Sequence, residues 1–234
     1  MRRLFRSFER LGVDYLLISG QASILYGAAT FSEDVDIWVA PTEPNLLRLK
    51  RALAAVHATY YKHTPPMTRR SMLAGHGFHF IVPTRPVPLY LDVMGQPPRV
   101  GGFAEARKSA RSFRCPWGTI PVVSIEDLVE MKRTQCLSDY DVISNLAQVR
   151  AEEVPGSLKI LGWAATHSFR APERLELLRR AGRRSTLKRC RLHVTREIAR
   201  LQKGDAKYWR LRIHAIRRMR RAGTLVPEGC AVCP

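Results

Sequence analysis

The chain has 234 residues, with 39 Lys and Arg against 20 Asp and Glu and a formal net charge of +19. Hydrophobic residues make up 45%, enough for a packed core, which excludes global disorder, and no apolar run approaches the roughly eighteen residues of a membrane-spanning helix. The basic N-terminus lacks an apolar leader and a cleavage site, and Cys115, Cys136, Cys190, Cys230 and Cys233 follow no disulfide framework, so a cytoplasmic protein with reduced thiols is expected.

Taken in order, Arg2–Leu11 carries Leu4, Phe5, Phe8 and Leu11 at helical spacing, with Gly12 placed to end the helix. Residues 14–19 read as a strand, 22–27 as a short helix, and 34–40 as a second strand stopped by Pro41. Thr42-Glu43-Pro44 opens a helix with an apolar stripe of Leu46, Leu47, Leu49, Leu53 and Val56. From 60 to 75 no period dominates: Pro65-Pro66 breaks any element, and 68–71 reads as a polar loop. Gly77–Val82 and residues 87–94 form a hairpin pattern around Pro83 and Pro86, and 120–123 is a last short strand. Ser124 and Asp127 make a capping box for a helix through Arg133. This alternation argues for an α/β or α+β core.

Acids followed by Pro155-Gly156 place a boundary at 151–156, between a domain of residues 1–150 and a basic helical region of 151–234. Beyond it helices are expected at 158–166, 171–181, 186–201 and 205–222. Beyond Arg170, basic residues far outnumber acids such as Glu173, Glu176, Glu197 and Asp205, which points to a polyanion partner. Tyr208 and Trp209 beside Arg210 and Arg212 suit stacking on bases, although aromatics at that spacing more often pack a core. Cys190/His193 and Cys230/Cys233 have the spacing of zinc-knuckle halves, but one pair sits mid-helix and the other near the C-terminus.

Residues 16–39, LLISGQASILYGAATFSEDVDIWV, concentrate the chemistry. Side chains alternate along a strand, so Asp34 and Asp36 share one side, with Val35 turned away. Such a pair can grip a hard divalent cation, which keeps coordination sites open for water or phosphate. Gly20, at a strand-to-helix turn, lets backbone approach a phosphate closely. Alone, D-x-D is more often a solvated pair; the turn and spacer before it raise its meaning. Asp92 lies in a strand that is otherwise apolar, costly unless the acid is paired, metal-bound or exposed at the strand end before Gly95.

The pattern of an apolar residue with Ser19-Gly20, a spacer, and Asp-x-Asp with apolar residues between resembles the nucleotidyltransferase superfamily of the DNA polymerase beta type. It is closest to the small bacterial branch that includes abortive-infection nucleotidyltransferase toxins. Residues 122–132, VVSIEDLVEMK, and 139–146 are similar to a helix pair of that family. The resemblance implies an α+β fold, a mixed sheet with flanking helices followed here by the basic helical region. It implies catalysis by Asp34, Asp36 and Asp92 holding Mg²⁺, with Mn²⁺ as a substitute, and nucleotide binding by Ser19, Gly20, Gln21 and Lys132. The implied reaction moves an NMP from an NTP to a hydroxyl of RNA, protein or a small molecule. RNA, tRNA in particular, is favoured by the toxin branch and the basic tail, and a toxin implies an antitoxin-like protein partner. Asp139 and Asp141 read as structural partners of an Arg. Gln21 stands where Ser or Gly is usual, and Ala29-Thr30 where many members carry Arg. An inactive module of this fold that binds nucleic acid through its basic helices is therefore the alternative.

Overall fold

In the computed structural model, which describes residues 1–234, seven strands make one mixed sheet in the order β3-β4-β5-β2-β1-β7-β6. These are β1 Tyr15–Ile18, β2 Val35–Val39, β3 Thr59–Tyr60, β4 Gly77–Val82, β5 Leu89–Met94, β6 Arg111–Cys115 and β7 Gly118–Val122. The helices are α1 Arg2–Leu11, α2 Ser19–Leu25, α3 Glu43–Ala55, α4 Arg69–Leu73, α5 Phe103–Ser109, α6 Ile125–Met131, α7 Ser138–Glu153, α8 Leu158–His167, α9 Ala171–Arg180 and α10 Leu187–Arg221. The fold class is α+β: a mixed sheet with flanking helices and a long C-terminal helix. No helix is long and apolar enough to cross a membrane, and all five cysteines are unbridged.

The chain forms two compact units. The first comprises residues 1–22, 31–124 and 211–234, and the second residues 23–30 and 125–210. Position 150, expected as a boundary, falls inside the second unit, where α7 runs on to Glu153.

In the first unit, pairing register sorts side chains onto two faces, because residues directly opposite each other on neighbouring strands share a side. One face carries Tyr15, Leu17, Ile37, Val39, Leu91, Val93, Phe78 and Phe80, all buried. Phe5 and Phe8 of α1 lie on Tyr15, with ring centroids 5.8 and 5.2 Å away, and Ser7 donates to the Ala52 carbonyl of α3 at 3.1 Å. The other face carries Leu16, Ile18, Asp36, Trp38, Asp92 and His79. Trp38 is fully buried there, edge-on to Phe103 of α5, with its indole N–H donated to the Gly95 carbonyl at 3.0 Å. That end of the face is thus closed, and the half-buried acids lie further along it.

Asn45, fully buried near the start of α3, ties three elements together. Its Oδ1 accepts from the Asp14 N–H at 2.8 Å, while Nδ2 donates to the carbonyls of Asp14 (2.9 Å) and Ala40 (3.0 Å). Residues flanking β1 and β2 are thereby fixed to the helix that covers them.

In the second unit a small-residue core of Ala147, Ala151, Leu161, Ala164, Ala165 and Leu177 lets helices approach closely. Arg174 is buried but satisfied, donating to the carbonyls of Ser168 and Thr166 and to Glu197 at 3.1 Å. Two expectations change here. The helices expected at 186–201 and 205–222 are one, α10, of 35 residues. A single Gly inside a helix costs only about 1 kcal/mol, and Gln135 grips both sides of Gly204: its carbonyl accepts from Gln202 at 2.9 Å, and its amide donates to buried Asp205 at 3.3 Å. In the first unit the polar stretch 68–71 is not a loop: the Thr68 hydroxyl accepts from the Ser71 N–H and caps α4.

Replacing Asn45 with Ala leaves the Asp14 N–H without its acceptor and takes one of two donors from each of the Asp14 and Ala40 carbonyls, which keep the N–H groups of Ala40 and Thr42. Urea denaturation of Asn45→Ala is expected to show a loss of about 3 kcal/mol.

Candidate active site

The site is assembled where β1 ends and β2 begins. Ser19 leaves β1 with φ 58°, a left-handed conformation that a residue with a side chain adopts at some cost. Gly20 follows because Ser32 leaves no room: a Cβ at Gly20 would lie 2.2 Å from Ser32 Oγ. Ser32 in turn donates from Oγ to the Asp34 carbonyl at 3.1 Å, and its own carbonyl accepts from the Gln21 amide at 3.2 Å. The turn at Gly20 and the segment entering β2 are therefore clasped together, which sets where Asp34 stands.

Asp36 lies opposite Asp92 in the parallel pairing of β2 with β5, and Asp92 lies opposite His79 in the β4–β5 hairpin. The two acids thus share a face on adjacent strands. Asp34 joins them: its carboxyl is raised above the ordinary range, first by burial, then by the charges of Asp92 and Glu33, against a smaller opposing pull from Lys62 and His79. Tyr61 reports the same convergence. Its phenol is pushed up by burial and by the charges of Asp92, Asp34 and Asp36, and it donates to Asp92 Oδ1 at 3.3 Å. His79 Nδ1 meets the same Oδ1 at 2.8 Å.

Carboxylates that repel one another suit a hard cation, which replaces the repulsion by attraction. Asp34, Asp36 and Asp92 have the donor chemistry for Mg²⁺ or Mn²⁺. They stand as neighbours and not as a closed cage, since no three His, Cys, Asp or Glu side chains meet metal-ligating geometry as they stand.

Lys132 belongs to the second unit and is 9% exposed, with its ammonium on Asp139 Oδ1 at 2.8 Å. Asp139 also accepts from the Thr134 hydroxyl. Asp141 pairs with Arg170 Nε at 3.2 Å, and that guanidinium also reaches Glu173 and Asn145, each at 2.7 Å. Asp141 is thus the partner of an arginine, whereas Asp139 partners a lysine.

Three functional neighbours escape a reading of the sequence: Tyr61, Lys62 and His79. His79 carries a usable signal, because pairing Gly77–Val82 with the following strand sets it opposite Asp92. Tyr61 carries none, since it lies in a stretch without periodicity.

No protein-family model matches the chain, and no curated protein matches it in sequence. Among solved structures it is similar to JHP933 from Helicobacter pylori, at 15% identity over 94% of both chains with a TM-score of 0.44. It is also similar to the nucleotidyltransferase candidate TM1012 from Thermotoga maritima, at 14% identity over 66% of this chain and 86% of that one, TM-score 0.39. A third is ANT(2″)-Ia in complex with adenylyl-2″-tobramycin, at 12% identity over 88% and 95%, TM-score 0.39. At such identities and scores, functional weight falls on the chain's own side chains.

Asp34 gives a stability test with a definite sign. A raised carboxyl means that the fold prefers the protonated form, so ionisation costs stability at neutral pH and nothing below the ordinary carboxylate range. Asp34→Asn is expected to melt at a higher temperature than wild type at pH 7 without divalent cations. The difference should vanish on acidification to about pH 3.5, as followed by circular dichroism.

Proposed function

We propose that the chain is a metal-assisted nucleotidyltransferase that moves an NMP from an NTP to a hydroxyl acceptor, with RNA, tRNA in particular, as that acceptor. The observation that supports this best is that Asp36 and Asp92 stand opposite each other on adjacent strands, with Asp34 just ahead of β2 raised first by burial and then by the charge of Asp92. Those three would hold Mg²⁺, or Mn²⁺ in its place. When bound, such a cation makes a hydroxyl easier to deprotonate and offsets charge on a leaving pyrophosphate.

The acceptor oxygen attacks the α-phosphorus, its bond to the β-phosphate oxygen breaks, and pyrophosphate leaves. Asp92, beside the attacking atom, favours loss of the hydroxyl proton. Ser19, Gly20 and Gln21 face the phosphates in this reading. Gln21 uses one amide N–H on Ser32 and keeps the other for a phosphate oxygen. Lys132, expected as a triphosphate contact, spends one ammonium N–H on Asp139.

A polyanionic acceptor fits the net charge of +19 and the arginine-lined faces of α10. The first unit adds a groove of about 410 Å³ lined by Arg3, Arg6 and Arg10 of α1 with Ala55 and Val56, and none of these arginines is paired with a carboxylate. A toxin-like role with an antitoxin-like partner belongs to the same proposal and rests on family resemblance alone. The second reading, an inactive nucleic-acid-binding module, draws support from the turn itself: Ser32 fills the space beside Gly20, and Gln21 is partly engaged.

Purified protein, Mg²⁺, each α-labelled NTP in turn and total RNA test the proposal. Label should enter RNA with wild type, disappear with EDTA, and fall at least about 100-fold in Asp34→Ala/Asp36→Ala while RNA binding persists. Wild type that transfers nothing from any NTP yet binds RNA would establish the module reading. Separately, Arg3→Glu/Arg6→Glu/Arg10→Glu should weaken RNA binding and lower the slope of log affinity against log salt by about 2, given roughly 0.7 per single-strand phosphate lost. Fluorescence anisotropy over a salt series reads this.

A further inference from the structure

We propose that Tyr61 and His79 form a two-donor clamp on Asp92 that occupies Oδ1 and reserves Oδ2 for a hard divalent cation. The inference rests on the cation site proposed above and concerns how this chain prepares one of its ligands. Both contacts fall on one oxygen: Tyr61 Oη at 3.3 Å and His79 Nδ1 at 2.8 Å from Asp92 Oδ1. Neither of these side-chain bonds falls on Oδ2. A carboxylate oxygen only accepts, so the shorter contact puts the ring proton of His79 on Nδ1. Two donors on one oxygen stop the carboxylate from rotating and aim the other oxygen into the space shared with Asp34 and Asp36.

Both donors are themselves held. The His79 ring lies beside Gly77, where a Cβ would come only into ordinary contact with Cε1 and Nε2, at 3.4 Å. On its other side the ring meets Tyr61 edge-on, with centroids 5.7 Å apart. Tyr61 packs edge-on against Tyr90 at 5.1 Å, and Lys62 Nζ lies 4.7 Å from its ring centre. Its backbone N–H donates to the His79 carbonyl at 3.1 Å. The far side of that strand is occupied too: residues 226–232 run antiparallel along 58–64, through bonds that include Tyr60 N–H to Cys230 (2.9 Å), Gly229 N–H to Tyr60 (2.7 Å) and Val226 N–H to Thr64 (2.8 Å). Tyr61 is thus a positioning residue, bonded directly to the His79 carbonyl and flanked by Tyr60 and Thr64, which residues 226–232 hold.

Isothermal titration of the full-length protein with MnCl₂, without nucleotide, tests the clamp. Removing a group that orients a metal ligand typically costs 10- to 100-fold in affinity, so Tyr61→Phe and His79→Leu should each weaken Mn²⁺ binding by about 10-fold. His79→Asn, whose amide stands in for Nδ1–H, should recover most of that loss, and Tyr90→Phe should bind as wild type does. Affinities within twofold of wild type for both Tyr61→Phe and His79→Leu would overturn the clamp while leaving the cation site intact. Wild type with no saturable Mn²⁺ binding would overturn the cation site and the clamp with it. Should His79→Leu fail to fold, Tyr61→Phe, which removes one oxygen, decides the matter.

Discussion

The parallel pairing of β2 with β5, in the register that sets Asp36 opposite Asp92, is the constraint from which the site follows. Along β2 the residues on either side of Asp36, Val35 and Ile37, are fully buried on the opposite face. A slip of one residue would turn Asp36 into that core and bring Ile37 out. Burying an unpaired carboxylate costs several kcal/mol, so the apolar face that stabilises the sheet also holds its acids in place. The antiparallel neighbours then add their parts without further choice. β1 delivers Ser19 and Gly20 beside Asp36, and β4 delivers His79 beside Asp92.

Electrostatically the site is an acidic island in a very basic protein. Of the chain's many basic side chains, Lys62 and His79 are the ones that pull Asp34 down, and their pull is smaller than the opposing effects of burial, Asp92 and Glu33. Arginines placed elsewhere are screened by solvent and cannot relieve it. The protein thus carries a local cost that a bound cation would remove, the usual pattern for a site kept ready for a ligand.

Much of the framework was readable in the residues. Gly12 after an apolar stripe marks the end of α1, and Thr42-Glu43-Pro44 marks the start of α3, because both signals are local and act through backbone geometry. The hairpin of β4 and β5 was visible in its turn-forming prolines and alternation. What was hidden depends on partners distant in sequence. Gly204 breaks the helical pattern locally, yet α10 runs through it because Gln135 bridges the flanking residues. β6 and α5 were missed because neither has a clean period. Gly20 looked like a phosphate-facing glycine, whereas its smallness is first required by Ser32, a neighbour invisible at that range.

The stretch that runs through β3 to Tyr61 and on to Thr64 has a partner made long after it, in residues 226–232. While the chain is being synthesised, the outer border of the sheet keeps bare amide and carbonyl groups until residues 226–232 have emerged. Those groups are open meanwhile to any extended segment nearby, including one from a neighbouring nascent chain. Completion of the border therefore waits for residues 226–232, made after every other strand of the sheet, and with it the seat for the phenol beside the acids. An unfinished polypeptide would carry the carboxylates without their final arrangement, so the order of synthesis itself delays readiness of the site.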